Sequence, residues 1–334
     1  MKILLALPGH LKTVPMGKFC IDALGELGYE VAVFDYHPTP LDRLSDRVTA
    51  LTGKAPREEK PATNRRFRQA VEQAQPDLMV TLFGFDLSPQ SLAYLQQKGI
   101  PSVCWWINDP FQYQRSLAKA DHYDFLFSNS AVCAEQYRAA GINNAFFLPT
   151  ACQPEVHHPA EAVEHYASDI CFAGDWSPLR EKFLLQLAER FDVKIFGPWQ
   201  KKLAPDSPLQ RHLVDGFFSP QEMAQMFSSA KVVLNIHTWY ETHDHGLNPR
   251  LFEAAGCGAF QVADWKQEIP SLFDPDREMF CYRTPDDLVA ALERFVADDE
   301  TRQTMAQAAQ RRALGEHTYR HRMETMLETV RRHG

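Results

Sequence analysis

His245-Gly-Leu-Asn-Pro-Arg-Leu-Phe-Glu-Ala-Ala-Gly-Cys-Gly-Ala-Phe260 joins a strand to a helix through residues suited to holding an anionic ligand. Upstream, Val232-Val-Leu-Asn-Ile236 is a short, β-branched apolar run, which predicts a buried strand. Asn248 offers an N-cap side chain and Pro249 the favoured first helical residue, so the pattern predicts a helix starting here. The free N–H groups of such an end attract anions. Arg250 in the first turn adds a bidentate donor for phosphate or carboxylate, and Glu253 one turn on offers two acceptors to sugar or ribose hydroxyls. Gly256 and Gly258 can stop the helix, and Ala259-Phe-Gln-Val-Ala263 reads as the next parallel strand.

The same rhythm extends outward. The strand Asp169-Ile-Cys-Phe-Ala173 enters the turn Gly174-Asp-Trp-Ser-Pro178, a helix follows over Leu179–Phe191, and Val193-Lys-Ile-Phe196 is the next strand. The N-terminal half repeats it. A strand at 3–7 leads through Pro8-Gly9-His10 into a helix at Lys18–Leu27, Gly28 closes that helix, and Glu30-Val-Ala-Val-Phe34 is a second strand. Residues 37–63, rich in Pro, Asp, Arg and Lys, read as an exposed excursion with little regular structure, followed by a polar helix at 64–75. Strands at 77–83, 101–107 and 125–127, with a helix at Pro89–Lys98, continue the alternation, which means an α/β fold with parallel sheets. Pro149–Ser168 breaks the pattern and reads as a connection. Two Rossmann-like domains are therefore expected, at 1–157 and 168–315, facing each other across a deep cleft where ligands bind at the carboxyl ends of the strands. Asp286–Ala297, Glu300–Gly315 and Tyr319–Arg332 are helical by pattern, and the last, within 316–334, is expected to cross back onto the first domain.

Composition narrows the partners. With 334 residues the chain suits two domains, and 45% hydrophobic residues, among them 22 Phe and 6 Trp, give each a core. A net charge of −8 argues against nucleic acid, whose partners are basic overall. The seven cysteines are odd in number and nowhere form CxxC, so a reduced, cytoplasmic protein without disulfides or a zinc site is expected. Pro8 and Gly9 cut the N-terminal apolar run short, and any membrane contact is expected to be at most peripheral.

Several side chains have both a functional and an ordinary reading. Gly174 lets a ligand approach the backbone at a strand-to-helix turn and Arg180 can neutralise a diphosphate there, unless the pair is an ordinary turn with a surface arginine. Two arginines at two strand ends of one domain suit a pyrophosphate leaving group. Glu253 has Phe252, Ala254 and Ala255 for neighbours and no polar company, which favours a ligand over solvent. His237, His243, Asp244 and His245 crowd the loop before this helix; they fit a sugar contact or backbone caps better than a metal site. Cys104-Trp-Trp-Ile-Asn-Asp-Pro110 ends a strand with core tryptophans and an exposed-looking Asp109, which is either a general base or the start of a turn. His10, after the first strand, is a second candidate base.

The series Phe172-Ala-Gly-Asp-Trp-Ser-Pro-Leu-Arg180, Asp215-Gly-Phe217, Val233-Leu-Asn-Ile-His237, Asn248-Pro-Arg-Leu-Phe-Glu-Ala-Ala-Gly-Cys-Gly258 and His317-Thr-Tyr-Arg-His321 resembles the CgeB-like (spore maturation protein) branch of GT-B glycosyltransferases. The likeness covers residues 169–321, and reaches 1–150 through the Rossmann rhythm and the Trp-Trp-Ile-Asn-Asp segment. It implies a glycosyltransferase whose C-terminal half binds a nucleotide-diphosphate sugar and whose N-terminal half binds a carbohydrate, lipid-linked or protein acceptor, with no cofactor and no obligatory metal. By the same likeness Arg180 holds the diphosphate, the backbone at Gly216 and Phe217 meets the base, and Gly174, His237, Asn248, Arg250 and Glu253 line the donor. Related retaining enzymes bracket the donor with two glutamates separated by seven residues. Glu253 fits the second, while His245 stands at the place of the first, which leaves retention or inversion open and, for inversion, makes Asp109 or His10 the base. A sugar-nucleotide epimerase on the same fold and a non-catalytic surface-assembly protein are the alternatives.

Overall fold

The computed structural model describes residues 1–9, 15–52, 60–84, 87–214 and 218–334. These form two compact units, one of residues 1–149 with 319–334 and one of residues 150–318. The first therefore ends at Pro149 instead of the expected 157, and the terminal helix is part of it.

In the first unit, β1 (Lys2–Leu7), β2 (Glu30–Asp35), β3 (Leu78–Leu82), β4 (Ser102–Trp106), β5 (Phe125–Ser128) and β6 (Ala145–Phe147) pair in the order β2-β1-β3-β4-β5-β6, all parallel. Strands buried on both faces read as continuous apolar runs, and Leu78-Met-Val-Thr-Leu82 is buried throughout. Its helices are α1 (Met16–Glu26), α2 (Pro40–Leu51), α3 (Pro61–Ala74), α4 (Pro89–Gln97), α5 (Tyr113–Ala120), α6 (Ala131–Ala139) and the terminal helix α12 (Tyr319–His333). Tyr319 of α12 packs its ring on Phe19 of α1 and Trp105 of β4 (5.2 and 6.3 Å between centroids), and Arg322 donates to the carbonyl of Pro149 (2.9 Å). Helix α2 corrects the expected excursion at 37–63. Thr39 accepts from the Asp42 N–H and Asp42 accepts from the Thr39 N–H, a reciprocal capping box that tolerates Pro40 because the first helical N–H has no partner to lose.

The second unit holds β7 (Ser168–Ala173), α7 (Pro178–Ala188), β8 (Val193–Phe196), β9 (Leu213–Val214), α8 (Pro220–Ser229), β10 (Ala230–Asn235), α9 (Arg250–Gly256), β11 (Gln261–Asp264), β12 (Phe280–Tyr282), α10 (Pro285–Ala297) and α11 (Asp299–Glu316). Its sheet runs β12-β11-β10-β7-β8-β9, again all parallel. The order reverses between β7 and β10, a switch point of the kind beside which open α/β sheets bind ligands at the carboxyl ends of their strands. The segments that enter and leave this unit lie side by side, the N–H of Cys152 donating to the carbonyl of His317 (2.9 Å). All seven cysteines are free thiols. Among the described residues no helix is long and apolar enough to cross a membrane.

Candidate active site

The turn from β7 into α7 is built around a close approach. Ser177 caps α7 by accepting from the Arg180 N–H (3.3 Å), and Pro178 takes the first helical position. The Gly174 N–H donates to the Phe196 carbonyl (3.0 Å), and its own carbonyl accepts from Trp199 Nε1 (2.7 Å). Gly197 has φ +139°, and a Cβ there would lie 2.4 Å from the Gly174 oxygen. Only glycine lets these two turns touch. A Cβ on Gly174 would in turn stand 3.5 Å from Arg180 Nη1 and 3.3 Å from the Phe172 ring, so this residue keeps the space beside the guanidinium open.

Arg180 is buried, with its guanidinium over the Phe172 ring. Nε and Nη2 donate to the carbonyl of Ile236, just past β10 (3.0 and 2.7 Å), and Nη1 donates to the carbonyl of Asp175 (2.9 Å). Among the described residues no carboxylate pairs with it. Burial pulls its pKa down, the Asp175 and Asp264 charges oppose that, and the Arg250 cation adds to the fall. Of its five N–H groups, three are committed to main-chain oxygens, so the cation is clamped in place while part of its donor edge stays available.

Arg250 reaches the same place from α9. Its Nε donates to the carbonyl of Ala173 at the end of β7 (3.2 Å), and its guanidinium lies over the Phe227 ring. Its Nη1 pairs with Glu253 Oε2 (2.5 Å) and also meets the Met223 sulfur. Glu253 is thus neither solvated nor without polar company; it is the counter-ion of Arg250, and both are mostly buried. Helix α9 starts at Arg250, one residue later than expected, with Pro249 in the cap position. The Asn248 side chain is diverted into a reciprocal amide pair with Asn235 (2.7 and 3.1 Å), tying α9 to the end of β10.

The loop between them is pinned from several sides. His237 Nδ1 and main-chain N–H both donate to Asp264 Oδ1 (2.7 and 2.8 Å), while Nε2 accepts from the Asn248 N–H (3.1 Å). Lys266 bonds Asp264 Oδ2 (2.8 Å) and the His243 carbonyl (2.7 Å). Burial would raise the Asp264 pKa, but His237 and Lys266 bring it down to about 2; burial also lowers that of His237, so the ring is neutral at pH 7. With both nitrogens bonded within the protein, His237 is a clamp for the loop and turns none of them to a ligand. Trp239 Nε1 holds the His245 carbonyl (2.9 Å), and Glu268 accepts the Gly246 N–H with both oxygens (3.0 Å each). The His245 ring packs edge-on to His243, and burial lowers its pKa, which Glu268 opposes.

Residues 180–328 match a family described as Glycosyl transferase-like. The chain is 24% identical over 251 residues to the spore protein CgeB of Bacillus subtilis (strain 168), covering 71% of this chain and 78% of that one. Its fold is that of sucrose-phosphate synthase from Thermosynechococcus elongatus (TM-score 0.69, 12% identity, 99% of this chain and 98% of the other) and of HepE from Anabaena, solved with UDP and glucose (TM-score 0.65, 14% identity, 99% of both chains). A putative UDP-N-acetylglucosamine 2-epimerase from Listeria monocytogenes shares it at greater distance (TM-score 0.60, 11% identity, 99% and 96% covered). The chain carries a glycosyltransferase domain on the GT-B fold and is similar to CgeB.

The glycosyltransferase thus gathers Gly174, Arg180, Asn248, Arg250 and Glu253 at the switch point of its second sheet, with His245 on the pinned loop. Asp109 belongs to the first unit and corrects the expectation of an exposed base. It is fully buried, accepting from Ser128 Oγ (2.7 Å), from Tyr137 OH (2.9 and 3.2 Å) and from Ser116 Oγ (3.3 Å). Burial raises its pKa to about 6, against those three hydroxyls. His10, Gly216 and Phe217 lie outside the described residues. Among the described residues no group of three or more His, Cys, Asp or Glu is arranged to hold a metal. Gly197, Trp199, Asp264 and Lys266 were missed by the sequence reading. The Asp264-Trp-Lys266 spacing at a strand's end was a visible signal for a buried charge pair; nothing local marked Gly197 as the partner of Gly174. Beside α2 and α3 of the first unit lies a hollow of about 940 Å³ whose lining includes Ser45, Thr49, Asn64, Arg65, Arg68 and Gln69.

Proposed function

We propose that the chain moves a sugar from a nucleotide-diphosphate donor to an acceptor hydroxyl, retaining the anomeric configuration and using no metal. The observation that carries this reading is the convergence of Arg180 and Arg250 on the carbonyls that end β7 and β10. When the bond from the anomeric carbon to the phosphate oxygen breaks, negative charge grows on the β-phosphate and the sugar becomes cationic. Two fixed guanidinium groups in a mostly buried site favour that charge separation before it occurs, the task a divalent cation performs elsewhere.

In this reading Glu253 meets the ribose hydroxyls while Arg250 divides its donors between Glu253 and the phosphate. The neutral His245 ring serves the sugar in the place of a carboxylate. The new bond forms between the anomeric carbon and the acceptor oxygen, and the acceptor proton passes to the departing phosphate oxygen, so no protein base is required. Asp109, enclosed by three hydroxyls, supports the fold of the acceptor unit. The polar hollow of that unit, lined by hydroxyls, amides, guanidinium groups and the Glu72 carboxylate, suits a carbohydrate.

Because HepE was solved with UDP and glucose, uridine nucleotides come first in a thermal-shift screen of nucleotides and nucleotide sugars. A ligand at 100 times its dissociation constant is expected to stabilise the fold by about 2.7 kcal/mol. The hit is then incubated with glycan acceptors in the presence of a chelator, and the product's anomeric configuration is read by NMR. Release of nucleotide only with acceptor, unaffected by chelation and giving a retained linkage, supports the proposal. An epimer formed from donor alone, or an inverted linkage, overturns it.

A further inference from the structure

Helix α2 presents an apolar stripe to solvent. Leu41, Leu44, Val48 and Leu51 are 78%, 59%, 53% and 88% exposed, and their i, i+3, i+7, i+10 spacing puts them on one face across the whole helix. The charges of α2 are sorted in a matching way. Both carboxylates face inward: Asp42 pairs with Arg66 (2.9 Å) and with the Thr39 N–H, and Asp46 accepts from the Ala62 N–H (2.9 Å). Both arginines, Arg43 and Arg47, are exposed and follow one edge of the stripe. On a chain of net charge −8, the outward surface of this one helix is apolar and cationic only.

We propose that α2 is a membrane-surface anchor that lies on anionic lipid, with Leu41, Leu44, Val48 and Leu51 inserted among the acyl chains and Arg43 and Arg47 against the headgroup phosphates. Burial of apolar side chains and attraction to anionic headgroups are the two terms that hold such a helix in the interface plane. Charge favours lipid over a second copy of the chain, because antiparallel twofold pairing through the same stripe would set the arginine rows together, and in either orientation the outward face of a second α2 supplies no anion to Arg43 and Arg47.

The test is flotation of the purified full chain with vesicles of phosphatidylcholine alone and of phosphatidylcholine mixed with phosphatidylglycerol. The chain is expected to float with the anionic vesicles and stay behind with the neutral ones. Arg43→Gln with Arg47→Gln is expected to weaken binding by about fivefold for each charge removed. Leu44→Ser with Val48→Ser is expected to abolish it, both double variants keeping the parent's melting temperature. Failure to float with anionic vesicles overturns the proposal, as does binding unchanged in either variant. So does a dimer in sedimentation equilibrium that Leu44→Ser with Val48→Ser dissociates, which would give the stripe to a second copy.

Discussion

Arg180 and Asp109 are both buried ionisable groups without an opposite charge paired to them among the described residues, and they differ in what surrounds them. Carbonyl oxygens keep Arg180 charged, ready for an anion. Lysine keeps the charge but loses the fork that grips Ile236 and Asp175 together, so Arg180→Lys is expected to lower kcat/KM about a hundredfold while the nucleotide-induced thermal shift shrinks. Full activity in that variant would remove Arg180 from the mechanism. Asp109 is pushed the other way, toward its neutral form, with a pKa of about 6 against an ordinary 3.8. The folded state then holds the proton more tightly than the unfolded one. Its contribution is intact below about pH 4 and is lost as pH rises to 6, by up to about 3 kcal/mol. His237, whose pKa is lowered, acts oppositely in the acid range, so the comparison must be between variants. The difference in melting temperature between Asp109→Asn and the parent is expected to move in favour of Asn from pH 4 to pH 6 and to level off above. A constant difference would sink the assignment.

At the level of elements, the second sheet works because two turns meet without side chains between them. Gly197→Ala places a methyl within 2.4 Å of the Gly174 oxygen and forces a φ that alanine avoids. A loss of about 3 kcal/mol is expected in urea unfolding, together with weakened nucleotide binding, since the displaced turn carries Arg180 with it. The strands and long helices were legible from apolar runs and periodicity: Val193–Phe196 was placed to the residue, and the last three helices to within one or two. The start of α9 was misplaced because Asn248 has a better partner in Asn235, thirteen residues away, than the helix it precedes. Helix α2 was missed because its Pro, Asp and Arg content resembles a loop; the Thr39-Pro-Leu-Asp42 box outweighs that composition. The pairing of Arg250 with Glu253 was open to the i, i+3 rule, yet a sequence alone does not say whether a carboxylate in such a turn meets its neighbour or a ligand.

For the whole molecule, the terminal helix is indispensable to the first unit. Tyr319, Met323, Met326 and Leu327 are all buried, and losing side chains of this kind costs about 2 to 5 kcal/mol each. Their sum is comparable with the whole stability of an ordinary domain, about 5 to 15 kcal/mol. A chain ending at Thr318 is expected to keep one cooperative melting transition, that of residues 150–318, with residues 1–149 cleaved rapidly by protease. Survival of both transitions would show α12 to be dispensable.

This arrangement has a consequence for biosynthesis. A ribosome emits the first 149 residues long before it reaches Tyr319, so the N-terminal sheet waits through the translation of everything between with one of its covers still unmade. Residues 150–318 form their compact unit from one continuous stretch. The portion made second is therefore the first able to finish folding, and nascent chains stalled before Tyr319 is made should depend on chaperones for residues 1–149 alone.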